Sequence, residues 1–179
     1  MILINKFFTA KNIMAAVLWI LTVLWMSLIF GMSAQSGEKS SETSNKVIGI
    51  VAEVVVPGFS DMTDAEKDVV HSKLSFPIRK LAHFTEYAVL GELLTASVAF
   101  SGKKTSVTCR KLTVALSVGW LYAISDELHQ KLVAGRAGMI TDVFIDGSGV
   151  LVGCAAVALL LLFIFKKVNR DKGLKDCDP

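Results

Sequence analysis

Four stretches of the chain are apolar for long enough to cross a bilayer, and the segments between them are either short and basic or long and acidic. The stretches cover about residues 13–31, 77–100, 112–130 and 140–165, the last ending in an uncharged run over 150–165. Each comes close to the ~20 residues that carry an α-helix across ~30 Å of hydrocarbon. The pattern predicts an all-α polytopic membrane protein. We expect one domain over residues 1–179, a four-helix transmembrane bundle with short amphipathic helices in the long loop. The first stretch follows Lys6 and Lys11 and is longer than the apolar region of about 7–15 residues in a cleaved signal peptide. The Met32-Ser33-Ala34 after it is also a poor cleavage site, so it reads as an uncleaved span.

The long loop has its own pattern. Residues 33–44 are Ser-rich and read as a flexible link. Residues 45–56 are apolar and β-branched but too short to span, which suits a segment in the membrane interface or packed on the bundle. Pro57-Gly58 marks a turn. Thr63-Asp64-Ala65-Glu66 is a capping box opening a short amphipathic helix with Val70 and Leu74 on one side. Pro77 then suits the first turn of the second span. His71 reads as an exposed surface histidine.

Charge adds orientation. Lys6 and Lys11, then Lys103, Lys104, Arg110 and Lys111, then the basic residues from Lys166 to Lys175, occupy three segments almost without acids. The positive-inside rule makes those segments cytoplasmic, so both termini are cytoplasmic and residues 32–76 and the turn at Arg136 lie outside. A net charge of +3, dispersed among apolar runs, argues against a nucleic-acid partner. The three cysteines lack metal or redox spacing; Cys109 and Cys177 fall on the reducing side and Cys154 within a span, so free thiols are expected.

The ionisable residues inside the spans are the informative ones, because a central charge costs about 2.5–3.5 kcal/mol on insertion scales. Arg79, His83 and Glu86 share one face of the second span, with Lys80 and Tyr87 beside it. Tyr122, Asp126 and His129 repeat that spacing on the third, flanked by Glu127 and Gln130. Asp142, Asp146, Gly149 and Gly153 form a stripe on the fourth. With the orientation above, all three polar faces sit at the outer ends of their helices. Snorkelling explains Arg79, Lys80 and Lys131, whose long stems reach the headgroups. It does not explain the short acids Glu86, Asp126 and Asp146. Gly149 and Gly153 have a separate reading as a small-xxx-small packing seam. Glu92, mid-span and off the polar face, receives no role.

These residues resemble the VanZ-like family of bacterial membrane proteins, named after a teicoplanin-resistance protein. The resemblance rests on Lys80-Leu81-Ala82-His83-Phe84-Thr85-Glu86-Tyr87 with Leu90, then Asp126-Glu127-Leu128-His129-Gln130. Gly135-Arg136, Asp142, Gly149 and Gly153 complete it, with Ser33-Ala34-Gln35-Ser36 after the first span. Ala134 stands where the family commonly has proline, and Asp146 where it commonly has asparagine. The resemblance implies reduced glycopeptide susceptibility, as in some members, and supplies no reaction.

The leading functional reading is a site at the outer leaflet of a bacterial cell membrane that binds or modifies a lipid-linked envelope component. His83 and His129 suit general acid–base work near neutral pH. Glu86, Asp126, Glu127 and Asp142 complete the candidate catalytic set. Lys80, Tyr87, Gln130, Arg136 and Asp146 are the candidate binding residues, with Arg136 and Lys80 placed to hold a phosphate or carboxylate. The partners expected are membrane lipids or a lipid-linked wall precursor. No H-E-x-x-H motif supports a metal site, and no cofactor is expected. The competing reading is a non-enzymatic bundle whose polar network holds helices together or carries a partner.

Overall fold

The computed structural model describes residues 9–102, 105–136 and 138–175. Lys6, Lys103, Lys104 and Cys177, used above for orientation and thiol chemistry, lie outside them. Five α-helices follow one another: α1 (Ala10–Ser33), α2 (Gly37–Val55), α3 (Asp64–Phe100), α4 (Cys109–Gln130) and α5 (Ile140–Lys175). A 3₁₀ turn, Phe59–Asp61, precedes α3, and no strand occurs among the described residues. Two helices are long and apolar enough to cross a membrane, α1 and the Ile140–Val168 part of α5. The other two expected spans fall on α3 and α4, whose ends are more heavily charged.

Local sequence explains the helix starts. Thr9, Ser36, Thr63 and Thr108 each accept a hydrogen bond from a backbone amide three residues on, which satisfies an otherwise orphaned donor. At Thr63 the box is reciprocal, with the Glu66 carboxylate accepting from the Thr63 amide at 2.8 Å. Gly58 adopts φ 72° to turn the chain into the 3₁₀ segment.

Four expectations for this stretch require correction. The Ser-rich residues after Ser36 are helical rather than a flexible link, because Ser36 caps α2 and Ser44 bonds back to the Ser40 carbonyl at 2.9 Å. The capping box opens no separate short helix: α3 runs unbroken through Pro77 to Phe100. Pro77 is therefore internal to the helix. The Lys73 carbonyl loses its usual donor there, and both residues are exposed. His71 is half-buried and stacks on Phe59, ring centres 6.0 Å apart.

The tightest packing joins α3 to α5. A methyl carbon added at Gly149 would overlap the Phe84 carbonyl oxygen, one at Gly153 the Ala88 carbonyl oxygen, and one at Gly91 the Val150 carbonyl oxygen. The two helices thus run in the same direction with backbones touching, as the small-xxx-small reading requires. Tyr87, Leu90, Leu94, Ala115, Val150 and Cys154 fill the core around this seam. Helix α1 is tied on by hydrogen bonds: Thr22 Oγ1 with Ser97 Oγ at 3.0 Å, Trp25 Nε1 to the Glu86 carbonyl at 2.9 Å, and Tyr122 Oη to the Met26 carbonyl at 2.6 Å. At one end of the bundle Lys111 Nζ donates to the Ala99 and Ser101 carbonyls, both at 3.0 Å, closing the C-terminus of α3. Cys109 is exposed and Cys154 buried, both free thiols. The polar residues gather at the opposite end.

Candidate functional site

Five segments meet at that polar end: the last turn of α1, the first turns of α2, the middle of α3, the last turns of α4 with the loop after it, and the start of α5. Helical spacing puts Lys80 and His83 on the α3 face that meets Asp142 and Asp146 of α5. Lys80 Nζ is hydrogen-bonded to Asp142 Oδ1, and His83 Nδ1 lies 3.7 Å from Asp146 Oδ1. The second distance is too long for a hydrogen bond, and both Asp146 oxygens lack a hydrogen-bond partner among the described residues.

A second knot ties α1 to α4 and the loop. Asp126 Oδ2 accepts from Ser33 Oγ at 2.8 Å and from Gln130 Nε2 at 2.9 Å. Gln130 Oε1 in turn accepts from Arg136 Nη1 at 3.0 Å. Arg136 Nη2 donates to the Met32 carbonyl at 3.2 Å and to Ser40 Oγ at 2.9 Å, so one guanidinium joins α1, α2 and α4. Burial pulls that guanidinium below its ordinary pKa and Asp126 pulls it back; it stays charged. Gly135, at φ 75°, lets the loop fold flat onto Gly37, and the Gly37 amide donates to the Ala134 carbonyl at 3.1 Å. Glu127 fixes the other side of the loop by accepting from the Met139 amide.

Two adjoining cavities open at this end. The first, about 260 Å³, has Met32, Val47, Ile78 and Ala82 for its apolar wall and Glu86 among its polar groups. The second, about 340 Å³, is lined by Ser41, Ser75, Lys80, Gln130, Met139 and Asp142. Ser40, Arg79, His83 and Arg136 border both.

Of the candidate residues, Lys80, His83, Glu86, Gln130, Arg136 and Asp142 therefore line these spaces. The others do not. Tyr87 is fully buried against Tyr122, so it faces the core rather than a substrate. Asp146 is equally buried and stands behind His83 instead of beside a ligand. Asp126 and Glu127 are buried in the knots that hold α1, α4 and the loop. His129 stacks on Phe30, ring centres 4.4 Å apart, and lines neither cavity. The reason is helical: Asp126 and Gln130, four apart, point inward, which rotates His129 towards α1.

Sequence reasoning missed Arg79 and the serines of α2. Arg79 is exposed, borders both cavities and joins neither of the two ion pairs among the described residues. Snorkelling had absorbed it. Ser36, Ser40 and Ser44 recur every fourth residue, a one-face helical signal that a flexible-link reading discards.

No curated protein and no solved structure matches the chain. The VanZ/LLP1 family model matches residues 18–164, a stretch holding both knots, both cavities and the glycine seam. By that match, over most of its length, the chain belongs to the VanZ/LLP1 family.

Proposed function

We propose that this protein is a multi-pass bacterial membrane protein whose polar end recognises an anionic group of a lipid-linked envelope component at the outer leaflet. The observation that carries this is the convergence of Arg79, Arg136 and His83 on two joined cavities. A guanidinium presents forked donors that match phosphate or carboxylate, and His83 stands where it can exchange a proton with whatever those arginines hold. Membership of the VanZ/LLP1 family suggests a function of the glycopeptide-resistance type, and a teicoplanin-type phenotype is the natural one to assay. In this reading residues 1–179 are one domain with four spans, both termini are cytoplasmic, and His83 with Glu86 does any acid–base work, Lys80 and Asp142 shaping the polar cavity.

A second reading has specific support. The Ser33–Asp126–Gln130–Arg136 chain of hydrogen bonds joins three helices and a loop, as a purely structural network would. Lipid mass spectrometry of cells with and without the protein separates the readings, paired with Arg79→Ala. Accumulation of an anionic lipid species that depends on Arg79 supports recognition; an unchanged lipid profile with wild-type phenotype in Arg79→Ala supports the scaffold. Orientation is tested by thiol labelling in intact cells. Cysteines placed at the exposed Asn45 and Leu132 should label from outside, while the exposed native Cys109, with Cys177 replaced by serine, should not. External labelling of Cys109 would reverse the topology.

A further inference from the structure

The two cavities differ in character although they share a border. The larger is polar: Lys80 and Asp142 are paired on its wall, and Ser41, Ser75 and Gln130 offer further hydrogen-bonding groups. The smaller has an apolar wall built from both sides, Val47 of α2 and Met32 of α1 facing Ile78 and Ala82 of α3. Exposed apolar side chains stand next to its lining residues: Leu81 of α3, beside Ala82, is 64% exposed, and Ile50 of α2, one turn from Val47, is 69% exposed. An apolar cavity beside such a surface is a place for a hydrocarbon chain, not for water.

The charges sit on the border. Lys80 is committed to Asp142, which leaves Arg79 and Arg136 as the cations facing both spaces, with Glu86 as the acid of the apolar one. Among the described residues Arg136 gives three of its five N–H groups to protein acceptors. Arg79 joins no ion pair among the described residues. We infer that the site takes a single-chain amphiphilic anion: its phosphate or carboxylate sits between Arg79 and Arg136, its chain runs into the cavity between α2 and α3, and it enters sideways from the lipid. This rests on the proposed anion recognition and adds what is attached to the anion. Charge complementarity at the border and the continuity of the two spaces select this occupant over a free ion or a neutral chain.

The test uses full-length protein in phosphatidylcholine nanodiscs, with empty nanodiscs as the blank, and calorimetric titration of inorganic phosphate, then butyl, hexyl and octyl phosphate, then 1-octanol. Affinity should climb along the alkyl series, with octyl phosphate at least about tenfold tighter than inorganic phosphate and 1-octanol no better than the blank. Arg79→Ala should abolish binding of the whole series. Ala82→Phe and Val47→Phe, both at exposed positions that tolerate added bulk, fill the apolar space from opposite walls. Each should flatten the series to the inorganic phosphate value. If inorganic phosphate binds and octyl phosphate binds no tighter, this inference fails and anion recognition stands. If neither phosphate nor any alkyl phosphate binds, anion recognition fails and takes the inference with it. Octanol binding as tightly as octyl phosphate, or a series unmoved by both wall substitutions, overturns the inference alone.

Discussion

Helices α3 and α5 meet twice, and the two meetings have little in common. Around Ala88 and Gly153 their backbones touch, every side chain that could intrude is missing, and core apolar groups close over the seam. Nearer the polar end the same two helices face each other through Lys80, His83, Asp142 and Asp146, where one pair is hydrogen-bonded and the other stops at 3.7 Å. His83 Nδ1, Asp126 Oδ1 and both Asp146 oxygens are buried there without partners among the described residues. Buried polar atoms are paired in nearly all proteins because leaving one unpaired costs about 1–3 kcal/mol. Tyr87 Oη and Thr95 Oγ1 in the core are also buried without partners among the described residues, but the unpaired carboxylate oxygens all lie at the polar end, and that is where most stability is given up. Of these residues His83 borders both cavities, and incomplete pairing there suits recognition of another molecule.

The sharpest break of that contrast is at the seam. Gly153→Leu should destabilise the protein at or above the top of the ~1–3 kcal/mol range for overpacking, since the obstruction is backbone and has nowhere to go. Gly31→Ala, where an added Cβ meets nothing, should leave thermal unfolding in detergent unchanged or raise it slightly. Similar melting for the two variants would mean that the seam is slack. At the polar end Asp126→Ala strips acceptors from buried Ser33 and Gln130 and should cost about 1–3 kcal/mol. Asp126→Asn retains an acceptor and should melt close to wild type and keep function. His83→Ala, at the border of both cavities, should also melt close to wild type but lose function.

The arginines sharpen the comparison further. Arg136→Lys keeps a charge but loses the fork that reaches Gln130, Met32 and Ser40, so melting should fall by about 1–2 kcal/mol together with function. Arg79→Ala, at an exposed position in no ion pair among the described residues, should stay within about 0.5 kcal/mol of wild type in stability and lose function alone. If Arg79→Ala keeps full function, the cavity border is not where recognition happens. The smallest effect belongs to the capping box. Its Thr63 hydrogen bonds hold the Glu66 pKa below the ordinary carboxylate value of 4.5. A depressed folded-state pKa adds stability above the unfolded pKa that is lost as pH falls through the folded one. Protection of the amides at residues 66 and 67, taken relative to their intrinsic exchange rates, should therefore fall only below about pH 4.5, and Glu66→Gln should remove that pH dependence.

How much of this was legible depended on what each residue reports locally. The capping box at Thr63 and the turn at Gly58 are local chemistry and are found where the residue types put them. The shared depth of Lys80, His83, Asp126 and Asp142 follows from helical spacing plus span ends, and the structure gathers them at one end. Which way each residue points was only half legible. Asp126 and Gln130 take the inward face of α4, and that choice turned His129 onto Phe30, a contact between helices far apart in sequence. The helix over 37–44 was hidden because serine is a poor helix former alone. Its support comes from the Arg136 and Gly135 contacts, ninety and more residues away. Pro77 looked like a beginning because its sequence signature does not say whether the carbonyl four residues earlier can do without a donor.

The flat contact of Gly135 on Gly37 has a practical consequence for anyone wishing to label or tag this molecule. The turn between α4 and α5 is short, and by its sequence it looks like a free site for an epitope or a fluorophore. Its backbone is instead keyed into the start of α2, with Ala134 accepting from Gly37 and Arg136 reaching three neighbours. Any side chain at Gly135 meets a left-handed backbone conformation, and any side chain at Gly37 meets the Gly135 carbonyl. A probe there would report its own disturbance. Leu132, 86% exposed and three residues away, offers the same side of the membrane without prying the helices apart.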